Sequence, residues 1–238
     1  MLRMAYDPGV AEEHSGRLEL TWTNKHLRLL AGEDGGYTWV PPSDYRVAEV
    51  RLLHDQIEVG ETASGRKRAT DNLLIRGDAL NALASLCELP EFSREYVGKV
   101  KLVYLDPPFN TQQAFEHYDD ALEHSVWLTM MRDRLLEIRK LLAADGSVWV
   151  HLDDTEVHRA RCVLDEVFGS DGYLATVVWQ SSQTASAETG IANTSDFILV
   201  YASDRDQWRR VRNGLPKTEK QSARYRNPDN DARPMATG

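Results

Sequence analysis

The tetrapeptide Asp106-Pro107-Pro108-Phe109 is the segment of this chain whose residue types best fit chemistry. It follows an apolar run, residues 102–105, that is typical of a buried parallel strand. Two consecutive prolines have a fixed φ and no N–H to donate, so they form a stiff corner whose carbonyl oxygens are acceptors. Asp106 adds a carboxylate, and Phe109 adds an aromatic face. An amino group on a planar base needs two acceptors for its two protons and a surface to stack on, and this segment could supply both. The alternative is an ordinary Asp-Pro turn after a strand.

The elements that must position this segment alternate between strand and helix from residue 72 onward. The predicted strands are 73–75, 102–105, 148–152, 174–179 and 197–202. Three helices are predicted between them: one capped by Asp78, one with apolar residues from 128 to 142 closed by Gly146, and one from an Asp153-x-x-Glu156 capping box to Gly169. This alternation predicts an α/β fold with a mostly parallel sheet and helices on both faces. The last two strands have no helix between them, which predicts a reversed, antiparallel terminal hairpin.

Three regions are predicted along the chain. Residues 1–70 carry short alternating runs, at 18–22, 37–40, 48–53 and 56–60, and are interpreted as a small β-rich extension that ends in a polar linker near 61–71. Residues 71–204 form the α/β region. Residues 205–238 are a basic tail with nine basic and four acidic residues, a net +5, whereas the first 204 residues carry 19 basic and 33 acidic residues, a net −14. The tail is either a footprint for a polyanion or a solvated linker, with equal weight.

The order of several segments resembles a known family. These segments are N-L-L-I-R-G-D-A-L-N-A-L (72–83), D-P-P-F-N-T (106–111), W-L-T-M-M-R-D-R-L (127–135), H-L-D-D-T-E-V-H (151–158), D-E-V-F-G (165–169), V-V-W-Q (177–180), F-I-L-V-Y-A (197–202) and Y-R-N-P-D-N-D (225–231). Together they are similar to the amino-group DNA methyltransferases, and within these to the β-arranged modification (Mod) subunits of type III restriction systems. The resemblance implies a Rossmann-like methyltransferase sheet.

The resemblance also implies a reaction: direct methyl transfer from S-adenosyl-L-methionine to adenine N6 in double-stranded DNA, after the base is flipped from the duplex. The catalytic residues would be Asp106, Pro107, Pro108 and Phe109. Asp106 and the Pro107 carbonyl would accept the two N6 protons, and Phe109 would stack on the base. The family motif continues through Asn110 and Thr111, which we expect to contact substrate backbone or shape the loop.

Two further site residues are predicted with an alternative for each. Trp179, with the loop 181–195, is expected to line the target-base pocket; packing in the sheet core is an equal alternative. Asp78 lies at a strand end, where ligands bind in doubly wound sheets, so it is expected to contact the cofactor. Its alternative role is a helix cap. For Asp153 and Asp154, which follow a later strand, capping is favoured over ligand binding.

The glycine-rich cofactor loop of the family, F-x-G-x-G, does not occur in this sequence. From this we expect the chain to be the catalytic half of a methyltransferase that leads toward a missing target-recognition region, with weak activity alone. The sheet would then be incomplete and expose an edge. A second methyltransferase chain and a restriction subunit are expected partners.

Other function classes fit less well. Cytosine C5 methylation needs a nucleophilic Cys after a Pro, but Cys87 follows Leu86 and Cys162 follows Arg161. The two cysteines lack metal-ligand spacing and are predicted core filler, so no metal site is expected. No phosphate-binding loop of a restriction motor and no zinc-deaminase signature occurs. A non-catalytic remnant stays open, as does transfer to cytosine N4, RNA or protein. No apolar run spans a membrane and no apolar signal segment begins the chain, so a cytoplasmic location is expected.

Overall fold

The computed structural model describes residues 19–32, 36–47, 49–54, 72–111, 114–115, 118–119, 123–181, 194–214, 216 and 218. The strands are β1 (Arg28–Ala31), β2 (Tyr37–Val40), β3 (Val100–Leu105), β4 (Ala114–Phe115), β5 (Tyr118–Asp119), β6 (Leu142–Leu152), β7 (Tyr173–Gln180) and β8 (Ser195–Ala202). The helices are α1 (Ala79–Glu88), α2 (Pro90–Tyr96), α3 (His124–Leu141), α4 (Val157–Phe168) and α5 (Arg205–Val211), with 3-10 turns at Tyr45–Val47 and Ser170–Gly172.

The central sheet has four strands in the order β3-β6-β8-β7. Strand β3 runs parallel to β6, while β8 is antiparallel to both of its neighbours. Three strands therefore share one direction, and the strand between β6 and β7 is reversed. The prediction of an α/β fold whose sheet ends in a reversed hairpin is confirmed.

The hydrophobic core lies between one face of this sheet and the helices α3 and α4. Alternate residues of β6 and β8 point into it, because successive side chains of a strand face opposite sides. The fully or almost fully buried members are Val148, Val150, Leu152, Leu199, Tyr201, Trp127, Leu135, Ile138, Val163 and Leu164. Since helix and strand registers both place large apolar residues on this interface, burial fixes how α3 and α4 lie on the sheet.

The end of α3 differs from the prediction. The helix ends at Leu141, five residues before Gly146, and the chain continues directly into β6. Gly146 lies inside that strand, where a Cβ atom would come within 2.6 Å of the Val100 carbonyl oxygen. Gly146 therefore allows the close approach of β3 rather than ending a helix.

Two other predicted elements are wrong. Residues Leu73–Ile75 form no strand in the structure. The Asp153-x-x-Glu156 segment is not a capping box: Asp153 accepts hydrogen bonds from the backbone N–H and hydroxyl of Thr155, at 2.9 and 3.0 Å. Helix α4 begins only at Val157, and Glu156 at its N-cap makes no side-chain capping bond. Asp153 thus closes a turn after β6, and Glu156 serves another purpose.

The N-terminal region contributes a two-stranded hairpin that packs on α3. Strand β2 is confirmed, but its partner is β1, whereas residues 19–22 and 49–53 are not strands. Leu29 of β1 is buried in the main core, and the Trp22 indole N–H donates to the Thr129 hydroxyl at 2.7 Å. The predicted run 56–60 and the linker 61–71 lie outside the described residues. In the described segments, no helix is both long and apolar enough to cross a membrane.

The two cysteines differ in environment. Cys87 of α1 is buried, as expected, and its thiol donates to the Glu137 carbonyl oxygen at 3.7 Å, while Cys162 of α4 is only half-buried. Burial, together with the nearby Glu137, raises the pKa of the Cys87 thiol to about 12.

We therefore expect Cys87 to resist alkylation in the folded protein. With a pKa about four units above pH 8, only about one thiol in ten thousand would be the reactive thiolate at that pH. Iodoacetamide labelling followed by mass spectrometry should modify Cys162 first and Cys87 only after unfolding in urea. Equal labelling rates in the native protein would contradict this, and the Cys162→Ser variant isolates the Cys87 signal.

Candidate functional site

The loop 106–111 leaves the carboxyl end of β3, next to the carboxyl end of the parallel strand β6. The side chain of Asp106 is exposed, Pro107, Pro108 and Phe109 are half-buried, and Asn110 is fully buried. The carboxyl edge of parallel strands is where ligands of such sheets bind. The candidate catalytic segment therefore lies where the sequence predicted it.

A residue of α3 anchors the loop at Pro108. The indole N–H of Trp127, a fully buried residue, donates to the Pro108 carbonyl oxygen at 2.7 Å. That carbonyl is thus occupied by the protein itself. Within the described part of the chain, neither the Asp106 carboxylate nor the Pro107 carbonyl accepts a hydrogen bond. Two acceptors of different kinds are left at the rim of the loop.

A second anchor holds Asn110. Its side-chain amide donates to the Glu156 carboxylate at 2.7 Å, and both residues are completely buried. Asn110 has a φ of +64°, in the left-handed region that asparagine tolerates better than most residues. Thr111 follows, half-buried. Of these two expected substrate contacts, Asn110 is therefore turned into the protein, where it shapes the loop.

Phe109 packs beside a histidine that the sequence interpretation missed. The ring centroids of Phe109 and His151 lie 5.4 Å apart. His151 is held on both sides: Nδ1 lies 3.0 Å from the Tyr104 hydroxyl, and Nε2 lies 3.2 Å from an Asp196 carboxylate oxygen. Tyr104, His151 and Asp196 form the His151 cluster, in which the two outer residues hold the imidazole beside the Phe109 ring.

Strand alternation carried a signal for this cluster. Tyr104 and His151 each lie between two apolar residues of their strands, so both had to face away from the helices of the core. What the sequence lacked was the register: Tyr104 pairs with Trp149 of β6, and Trp179 of β7 pairs with Asp196 of β8. Only the paired strands bring these residues to one edge.

Trp179 lies near the end of β7 with 58% of its surface exposed, so the alternative that it packs in the sheet core is wrong. Its cross-strand neighbour is Asp196, which belongs to the His151 cluster. The exposed indole lies on the outer strand β7, separated from β3 by the two strands β6 and β8, and Asp196 of β8 lies between it and His151. Most of the loop 181–195 lies outside the described residues.

Asp78 has two structural roles. One carboxylate oxygen accepts the backbone N–H groups of Leu80 and Asn81, which caps α1, and the other pairs with the Arg134 guanidinium at 2.7 Å. Asp78 therefore has the helix-capping role that was the alternative to cofactor binding. A cofactor contact by Asp78 stays a prediction.

Taken together, the loop offers a carboxylate, a carbonyl and an aromatic face at one edge of an α/β sheet. Such a site can hold an amino group on a flat ring and leave the nitrogen lone pair directed outward. A buried, protonated thiol such as Cys87, on α1, plays no part in this arrangement. These features define a class: an α/β protein whose loop at the carboxyl end of the central parallel strands presents two oxygen acceptors and an aromatic ring.

Comparison with known proteins identifies the family. A model of the DNA methylase family matches residues 100–235, more than half of the chain, and this chain belongs to that family. The match includes the loop 106–111, the His151 cluster and Glu156.

Two curated relatives are modification subunits of type III restriction-modification enzymes. The HindVI Mod subunit of Haemophilus influenzae is 35% identical over 141 residues, which cover 58% of this chain and 18% of that protein. The EcoP15I Mod subunit of Escherichia coli is 27% identical over 219 residues, covering 79% of this chain and 30% of that protein. The chain thus spans less than a third of the length of these relatives. A solved structure of a DNA modification methylase from Thermus thermophilus, in complex with S-adenosyl-L-methionine, aligns with a TM-score of 0.37 and 18% identity over 64% of this chain and 58% of that one.

Proposed function

We propose that this chain carries the base-handling part of a site-specific DNA methyltransferase that methylates adenine N6 within a restriction-modification system. The observation that carries the proposal is the loop 106–111, in which Asp106 and the Pro107 carbonyl stay available while Trp127 occupies the Pro108 carbonyl. Family membership and the two Mod subunits among the relatives support the same reaction.

In this reaction the target adenine leaves the duplex, because N6 cannot be reached within the stack. The Asp106 carboxylate and the Pro107 carbonyl oxygen each accept a hydrogen bond from one N6–H group. These two bonds direct the nitrogen lone pair away from the ring plane. Phe109, held by the His151 cluster, stacks on the base. When bound, S-adenosyl-L-methionine supplies an electrophilic methyl on a sulfonium. On transfer of that methyl group, which would leave a neutral thioether, the Asp106 carboxylate takes up the proton that N6 loses and releases it to solvent.

The oxygen acceptors of the site fit such a transfer. Oxygen acceptors hold an amino group as a neutral nucleophile, and attack on a sulfonium methyl needs no covalent enzyme intermediate. Exposed cations lie elsewhere: Arg205, Arg209 and Arg210 of α5 follow the end of β8 that pairs with Ser147, at the opposite end of the sheet from the loop 106–111. We include double-stranded DNA as substrate, and a second methyltransferase chain and a restriction subunit as partners, within this proposal.

The experiment that tests the proposal measures cofactor binding and product together. The purified chain is titrated calorimetrically with S-adenosyl-L-methionine, then incubated with adenine-containing duplex and methyl-labelled cofactor. The DNA is digested to nucleosides for mass spectrometry. We expect cofactor binding and label in N6-methyladenine only. Label in N4-methylcytosine would replace the adenine assignment, and absence of cofactor binding would favour a non-catalytic remnant.

We expect Trp179 to report on the flipped base. Adding duplex that holds 2-aminopurine at the target position should quench tryptophan emission and raise 2-aminopurine emission, as an exposed indole meets an unstacked base. The Trp179→Phe variant should lose most of the quenching and keep the 2-aminopurine signal, because phenylalanine still offers an aromatic face. Equal quenching in that variant would remove Trp179 from the pocket. Trp208→Phe, a change in α5, serves as the matched control.

A further inference from the structure

Glu156 is a completely buried carboxylate that joins three separate elements. One oxygen accepts from the Asn110 amide and also pairs with His124 Nδ1 at the start of α3, while the other pairs with Arg159 of α4 at 3.0 Å. A buried carboxylate is costly unless it is paired and hydrogen-bonded, so these partners are what keep it there. Its position before α4 would suit a helix cap, but it makes no capping bond. The structure therefore uses Glu156 for something else.

That use lies in the loop 106–111. Asn110 directly follows Phe109 and has a left-handed φ of +64°. A non-glycine residue in that region costs free energy and persists only where its surroundings over-determine it. The bond from the Asn110 amide to Glu156, at 2.7 Å and fully buried, is such a determinant. Because φ of Asn110 is the rotation about its N–Cα bond, it sets the orientation of the Phe109–Asn110 peptide relative to the anchored Asn110 side chain.

We propose that Glu156 is a positioning residue for methyl transfer: through Asn110 it holds the loop 106–111 so that Phe109 and the Pro107 carbonyl face the target base. Glu156 does not touch the base. Trp127 fixes the loop at Pro108, and Glu156 fixes it two residues later at Asn110. Two anchors on a stiff Pro-Pro corner leave Asp106 at the rim as the exposed member. The proposal rests on the proposed function of the loop, but the anchoring itself can be measured without any reaction.

The test combines hydrogen exchange with kinetics on four variants. Glu156→Ala removes the anchor, and Glu156→Gln keeps its shape and one acceptor for the Asn110 amide. Asn110→Gly keeps access to a positive φ but loses the bond, and the fourth variant combines Asn110→Gly with Glu156→Ala. The readouts are backbone amide exchange of residues 109–111, exchange of β6 as the internal reference, and kcat and KM for methyl transfer.

In Glu156→Ala we expect the amides of residues 109–111 to exchange at least tenfold faster while β6 stays protected, and kcat to fall at least tenfold with little change in the KM for cofactor. Glu156→Gln should recover most of both losses. In the double variant, amide exchange at residues 109–111 and kcat should match those of Asn110→Gly alone. The effects of two residues that act through one hydrogen bond are not additive.

Unchanged exchange at 109–111 in Glu156→Ala overturns the proposal, as does an equal loss of protection in β6, which would make Glu156 a general stability residue. If Glu156→Ala does not fold, amide exchange at residues 109–111 is compared between Asn110→Gly and Glu156→Gln instead. Wild-type protection of these amides in Asn110→Gly overturns the proposal. If the exchange results hold and methyl transfer to adenine is absent in the wild type, only the proposed function fails.

Discussion

Replacing Asp106 by alanine is expected to lower the rate of methyl transfer to adenine by roughly a thousandfold or more, in line with the loss of a charged acceptor aimed at a reacting group. The carboxylate is the only charged group of the loop 106–111, and its side chain is exposed, so its removal should leave the fold almost unchanged. The measurement is the single-turnover rate of methyl incorporation into adenine duplex, with urea unfolding to compare stability.

A matched control is available in Asp145, a carboxylate at the opposite end of β6. It pairs with Lys101 on the surface, and this bond lowers the pKa of the carboxyl. Asp145→Ala should methylate DNA at the wild-type rate. Wild-type activity in Asp106→Ala, with the control equally active, would remove Asp106 from the reaction. Asp106→Asn keeps one acceptor oxygen, so its rate should lie between the two.

Replacing Trp127 by alanine is expected to reduce the free energy of unfolding by about 3–5 kcal/mol, the usual cost of truncating a buried aromatic residue. The Trp127 side chain is completely buried in the core cluster, and its indole N–H holds the Pro108 carbonyl at 2.7 Å. Alanine therefore leaves a cavity under the loop and releases its first anchor. Urea unfolding followed by circular dichroism gives the change, provided the dependence on urea stays linear with the same slope.

The Trp127→Phe variant separates the two effects. Phenylalanine keeps most of the apolar bulk but cannot donate to Pro108, so we expect a loss of about 1–2 kcal/mol for the bond and the smaller ring. A drop in stability of less than about 1 kcal/mol in Trp127→Ala would contradict the packing described here, since the cavity term alone should exceed it.

Much of the fold followed from local patterns. The apolar steps of three and four predicted α3 and α4, because burial of one helix face enforces that periodicity. Short apolar runs predicted β6, β7 and β8. The prediction of a strand at Leu73–Ile75 was wrong, because three apolar residues form a strand only when a neighbouring strand pairs with their backbone hydrogen-bonding groups. Among the described residues, no partner strand lies beside them.

The two residues most relevant beyond the motif, Glu156 and His151, could not be assigned from sequence. Glu156 follows Asp153 at capping-box spacing, yet tertiary packing buries it against Asn110, 46 residues away. His151 is one polar residue in a strand pattern, yet it meets Tyr104 and Asp196, which are 47 and 45 residues away along the chain. Contacts of this range depend on strand order and register, which local spacing does not encode.

The sequence by itself determined the corner at 106–109, because two prolines fix the backbone and remove both donors whatever surrounds them. It also determined that Asp106 and Phe109 would flank that corner at a strand end. Only the tertiary structure decided which acceptors stay available and what holds the loop. Trp127 occupies one carbonyl, Glu156 holds Asn110 at a positive φ, and the His151 cluster supports Phe109. The physical reason is that hydrogen bonds between distant residues form only after burial has set the helices and strands in register.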